Sequence, residues 1–246
     1  MDPPADWVHG FTVVDKAACA APTDPATLYA FYRAQADPDA FTDAERNGTE
    51  FASIDLETAG PSGGEGFQPE NGAIIEVGIV CYDRNGSETG RLSTLVDPGE
   101  AILATIGTGA EHIHHISPDD VRGQPSWAAV APRVGAHLGQ RTLIIQNARF
   151  ERPWLGHHMP LAGVPFDPDR VTLDTKRIAN QHFSHLPDFC LPTICANVDV
   201  AYTGGHRATH DAEVTARAFF EMKRIIHTRY AADPRFTGLP HPTSSA

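Results

Sequence analysis

The chain reads as an α/β domain built on a mixed sheet. Three strand-like stretches follow one another between residues 51 and 96 through turn-rich links. The apolar period then changes to helical spacing and alternates with two further short strands. The alternation closes in one long amphipathic helix, which completes the pattern of strands covered by helices.

Residues 51–56 form the first strand, an apolar run that carries Asp55 and leads through Glu57 to a turn at Ala59-Gly60-Pro61. A Gly/Pro-rich loop over 60–72 leads to a second strand, Ala73–Tyr82, and Asp83-Arg-Asn-Gly86 then signals a hairpin. With a third strand over 91–96, these links predict an antiparallel meander. Residues 126–138 carry helical spacing, with a kink or a late start demanded by Pro132. Thr142–Ile145 is short and apolar throughout, as befits a strand buried on both faces. Asn147 is placed to cap a helix reaching about Met159, interrupted near Pro153. Residues 171–175 give the fifth strand, and Asp174 is read as a cap for the segment after that strand. Leu191–Asn197 reads as a short helix, Gly204-Gly205 as a loop, and 211–230 as the strongest helix of the chain.

This domain, residues 50–230, is flanked by two extensions. Within 1–49, a short strand at 11–14 and a helix over 26–36 are expected, and the segment serves either as a packed extension or as a partner-binding arm. The Pro, Ser, Thr and Gly content of 231–246 predicts a disordered tail.

A net charge of −12 removes any general attraction to duplex phosphate and argues against a role in coating DNA. It leaves room for a pocket that takes one strand end. The four cysteines (Cys19, Cys81, Cys190, Cys195) lack zinc-site spacing and are expected as reduced thiols. No apolar run approaches transmembrane length, and the acidic N-terminus lacks a signal-peptide pattern, so a cytoplasmic protein without membrane contact is expected.

The chemistry gathers in acidic residues. Asp55 and Glu57 stand two apart on a strand and so project from one face. Like charges that close need neutralising, and carboxylate oxygens suit Mg²⁺ or Mn²⁺. Glu151 falls near the first turn of the helix after Thr142–Ile145. Asp211 shares a helical stripe with Val214, Ala218, Met222 and Ile225, so it faces inward and needs a partner. His206, five residues before it, can converge on the same point from the preceding loop. Together these residues have the logic of two-metal phosphodiester hydrolysis: Asp55, Glu57, Glu151 and Asp211 hold two ions, and His206 takes the proton of water.

At this point the chain resembles the DnaQ-like DEDDh 3′-5′ exonucleases, which include polymerase proofreading subunits, RNase T and oligoribonuclease. Ser53-Ile-Asp-Leu-Glu-Thr-Ala-Gly60 is similar to the family's first motif, and Ile113-His-His-Ile-Ser117 to its Ile-His-Gly-Ile-Thr segment. Residues 143–155 resemble the second motif, and His206-Arg-Ala-Thr-His-Asp-Ala212 the third. The resemblance covers about residues 51–228. It implies a ribonuclease H-like fold with a mixed five-stranded sheet, and stepwise release of nucleoside monophosphates from the 3′ end of single-stranded DNA or RNA. It further implies that the segment at Thr58 and Ala59 and the loop of Ile113, His114 and Ile116 hold the terminal nucleotide, with Asn147 and Phe150 beside it. Glu151 departs from the pattern, because the family has aspartate there. The alternative is therefore a catalytically weak exonuclease-fold module that binds nucleic acid or a polymerase or repair partner; a third reading is a nuclease module that recruits another protein through 1–49.

Overall fold

The computed structural model describes residues 50–60, 68–83, 85–104, 114–168 and 170–232. The expected elements within 1–49, residue Ile113, Cys19 and the tail from 233 onward lie outside them. The strands are β1 (Phe51–Ala59), β2 (Ala73–Tyr82), β3 (Glu88–Leu95), β4 (Thr142–Ile145) and β5 (Thr172–Asp174). The helices are α1 (Glu100–Leu103), α2 (Pro118–Val121), α3 (Trp127–Leu138), α4 (Ala148–Leu161), α5 (Thr175–His182), α6 (Leu191–Asn197) and α7 (Ala208–Ala232).

The strands form one five-stranded sheet in the order β3-β2-β1-β4-β5. β1, β2 and β3 pair antiparallel, whereas β4 and β5 join parallel to β1. The mixed sheet is therefore as expected, and its hairpin turn is visible. Asp83 Oδ1 accepts the N–H groups of Asn85 and Ser87, and Gly86 takes a left-handed φ of 82°. β1 runs to Ala59 rather than stopping at Leu56, because β2 continues to pair with it beyond a register shift between Glu57 and Thr58.

Alternation along β1 divides the core. Ala52, Ile54 and Leu56 pack with Val130, Val134, Trp154 and Leu155 of α3 and α4. On the other face Phe51 meets Phe219 and Phe220 of α7, with ring centroids 6.1 and 5.8 Å apart. Asp55 and Glu57 share that second face by the same alternation, so α7 is the helix that lies over them.

Two local expectations change. α3 starts at Trp127 and includes Pro132, so of the kink and the late start expected there the late start does not occur, whereas α4 passes through Pro153 and Pro160 without the interruption expected near Pro153. A proline inside a helix costs about 3 kcal/mol or more. Here the anchoring is strong, since Val130, Ala131, Val134 and Leu138 of α3 and Trp154, Leu155 and Met159 of α4 are all buried. Asn147 occupies the N-cap position of α4 in a left-handed conformation, but its side chain makes no cap bond. Asp174 replaces it across the sheet edge, accepting the N–H groups of Asn147 and Ala148 as well as those of Lys176 and Arg177 in α5. Asp174 is thus a cap, as expected, but for two helices. Cys81, Cys190 and Cys195 are free. Among the described residues no helix is long and apolar enough to cross a membrane.

Candidate active site

The site is assembled by a close approach between α7 and β2. Gly78 stands opposite Asp55 in the β1–β2 ladder. A Cβ at Gly78 would lie 2.1 Å from the carbonyl carbon of Ala208 and 2.1 Å from the nitrogen of Thr209. Only a glycine admits the first turn of α7 this near the strand. Asp211, in that turn, is buried, while Val214, Ala218 and Met222 continue the stripe inward. Ile225 is half-buried, and Ile226 carries the stripe on.

His206 lies in the loop before α7 at a φ of 62°, and its backbone N–H donates to Asp211 Oδ2 at 2.9 Å. Gly205 keeps this turn open, because a Cβ there would lie 2.2 Å from the Tyr202 hydroxyl and 2.3 Å from Asp211 Oδ1. The result is a compact group. Glu57, His206 and Asp211 each offer an atom within 4.8 Å of the others.

Glu151 reaches β1 along its other edge. β4 accompanies β1 only as far as Ser53, opposite Ile144, and the next stretch of β1 has no strand on that side. There the backbone N–H of Leu56 faces the Glu151 carboxylate closely enough to favour its charged form. Glu151 and Asp55 lie outside the compact group of Glu57, His206 and Asp211, yet their charges act on one another.

Burial of the acids, reinforced by their crowding, dominates the electrostatics. Asp55 keeps some contact with solvent, but protein surrounds it closely enough that burial holds its carboxyl well above the usual range, helped by Glu151, Glu57 and Asp211. Glu57 is pushed up to about 8 by burial and then by Glu76 and Asp211, against the lowering influence of Arg207. Burial and Glu57 likewise raise Glu151, against the Leu56 N–H. Glu151 Oε2 and Asp211 Oδ1 are buried without a hydrogen-bond partner. An orphaned buried acceptor costs about 1–3 kcal/mol. Two such oxygens beside two further carboxylates make a donor set that fits hard divalent cations.

The expected nucleotide-side residues are largely internal. Thr58, Ala59, His114 and Ile116 are buried, and Ala59 and Ile116 share one apolar cluster with Ile75, Leu103 and Val121. His114 Nδ1 accepts the N–H of Ile116, which shapes the loop from within. Asn147 is half-buried, and Phe150 packs on Trp154 at 6.0 Å. Gln146 ties the end of β4 to the Phe189 carbonyl. Sequence reasoning missed Glu76 and Gly78. The available signal was an acid and a glycine inside the apolar strand Ala73–Tyr82, where each needs a specific reason.

A family model described as "RNase_T: Exonuclease" matches residues 53–219. The chain belongs to this exonuclease family. It is 28% identical over 197 residues to the 3′-5′ exonuclease DinG of Bacillus subtilis, a match spanning 80% of this chain but 19% of that protein. It is 27% identical over 174 residues to the DNA polymerase III subunit epsilon of Treponema pallidum, spanning 70% of this chain and 75% of that one. Among solved structures, E. coli exonuclease I in complex with a dT13 oligonucleotide superposes with a TM-score of 0.60 at 18% identity, covering 74% of this chain and 42% of that one. The fold is the ribonuclease H-like fold expected from the motifs.

Proposed function

We propose that this exonuclease-family chain is a divalent-metal-dependent 3′-5′ exonuclease that removes nucleoside monophosphates from single-stranded nucleic-acid ends. The observation that carries the reading is the convergence of Glu57, Asp211 and His206, with Asp55 and Glu151 beside them and two buried carboxylate oxygens lacking partners. Asp55, Glu57, Glu151 and Asp211 are the residues that would hold two Mg²⁺ or Mn²⁺ ions. Bound there, such ions neutralise the scissile phosphate and lower the pKa of water.

The other roles fall to the chain itself. His206, exposed beside Glu57 and Asp211, accepts the proton of the attacking water and releases it to solvent. The new bond joins the water oxygen to phosphorus, and the bond to the 3′ oxygen of the preceding nucleotide breaks, that oxygen taking a proton from solvent to leave a 3′ hydroxyl. Thr58, Ala59, His114 and Ile116 have inward side chains, so their contribution to holding the terminal nucleotide comes from the main chain around them. Single-stranded DNA is supported as substrate by the oligonucleotide bound to exonuclease I. A polymerase partner is supported by the relationship to a polymerase III subunit, and we assign its docking to residues 1–49, outside the matched 53–219.

The test uses 5′-labelled single-stranded DNA and RNA with purified protein in Mg²⁺ or Mn²⁺, beside Asp55→Ala. A metal-dependent ladder that shortens from the 3′ end, and is lost in Asp55→Ala, is expected. Binding of either polymer with no ladder in any metal would favour a non-catalytic binding module.

A further inference from the structure

Glu76 is a carboxylate that the proposed chemistry does not use, although it stands directly opposite Glu57 in the β1–β2 ladder. It is 2% exposed. Its Oε1 accepts Arg207 Nε at 3.0 Å and Nη2 at 2.8 Å, and its Oε2 accepts the Ala208 N–H at 3.0 Å and Arg207 Nε at 3.3 Å. Every donor comes from the two residues after His206. Burying a carboxylate beside Glu57 is costly, and a forked guanidinium with a helix N-terminal N–H is a strong way to compensate it. The arrangement anchors one short segment to β2 with a rigidity that an apolar residue at 76 would not supply.

The anchored segment is the one that needs it. His206 is exposed, in a left-handed backbone conformation, just after Gly204 at a φ of 90° and Gly205. A non-glycine residue held in that region is strained and persists only where its surroundings over-determine it. On the near side its N–H is held by Asp211. On the far side Arg207 and Ala208 are held by Glu76. The side chain of Arg207 is itself 59% exposed, so most of it sits outside the core it grips.

We propose that Arg207, forked onto Glu76, is a positioning residue for His206: it fixes the backbone on which the imidazole is carried and so aims the ring at the water beside Glu57 and Asp211. The inference rests on the nuclease reading above. Lysine at 207 keeps the charge but loses the fork, so it loosens the anchor without deleting the ion pair.

The experiment compares wild type, Arg207→Lys, His206→Ala and the double variant in the full chain, on a labelled single strand with Mn²⁺. Mn²⁺ binding is followed separately by calorimetry. For Arg207→Lys, kcat falls about tenfold to a hundredfold, the scale of a small misplacement. Its KM stays within about twofold, as for an interaction used only in the transition state. Mn²⁺ affinity also stays within about twofold, since no ligand is touched. In the His206→Ala background the lysine substitution has no further effect on kcat, because the device acts through the missing ring. A raised KM at unchanged kcat overturns the proposal and makes Arg207 a substrate contact. Lost Mn²⁺ binding overturns it in favour of a structural role at the metal site. Equal losses in both backgrounds overturn the link to His206. A wild type with no ladder removes the nuclease reading and the positioning role together, whereas an active wild type with an unaffected Arg207→Lys removes only the latter.

Discussion

Single residues set the ionisation of this site. Glu57 has a pKa raised from its ordinary 4.5 to about 8, chiefly by burial. A carboxyl raised on folding binds more protons in the native state than in the unfolded one, so stability declines as pH rises between those two values. The metal-free chain is therefore expected to unfold at lower temperature at pH 8 than at pH 5, and Glu57→Gln is expected to flatten that dependence. Thermal unfolding in chelator across this range checks it; a midpoint rising toward pH 8 in the wild type would contradict the assignment. Glu151 is the second residue of interest, because one of its oxygens is buried without a partner while burial and Glu57 both disfavour its charge. If the longer side chain acts as a stretched metal ligand, Glu151→Asp gives exonuclease rates equal to or above wild type, and Glu151→Ala loses at least about tenfold. Full activity in Glu151→Ala removes it from the metal set.

At the scale of elements, α7 decides where the chemistry sits. Its first turn rests on β2 at Gly78, and the three residues from His206 to Ala208 are tied to Asp211 and Glu76. Gly78→Ala forces a Cβ into helix backbone at 2.1 Å, which only a shift of α7 can relieve. Overpacking of this kind costs about 1–3 kcal/mol, so the unfolding midpoint is expected to fall by several degrees, together with exonuclease activity. A variant with unchanged midpoint and activity would show that α7 is not seated by that glycine. The helices also show where local signals stop. Pro153 reads as an interruption, yet tertiary burial carries α4 through it. Asn147 reads as a cap, yet the cap is Asp174, which is distant in sequence and adjacent only because β5 lies beside β4. α1 and α2, four residues each, are too short to produce a periodic signal.

For the whole molecule, the order of elements was legible and their assembly was not. The hydrophobic pattern of the chain determined that there would be an antiparallel meander, two short buried strands and a long final helix, because burial imposes a period on each element separately. Asp55, Glu57 and Asp211 were legible as candidates for the same reason, whereas Glu151 and His206 lie on no such period and came from their places in the motifs. Asp55 and Glu57 alternate on a strand, and Asp211 begins an apolar stripe. Tertiary structure alone decided that Glu57, His206 and Asp211 come within 4.8 Å, that Glu151 enters along the open edge of β1, and that Glu76 directs its charge to Arg207 and Ala208. Each of these depends on strand order and on the closeness of α7 to β2. Such distances between segments far apart in the chain leave no period in the sequence, because they arise from packing between elements rather than within one.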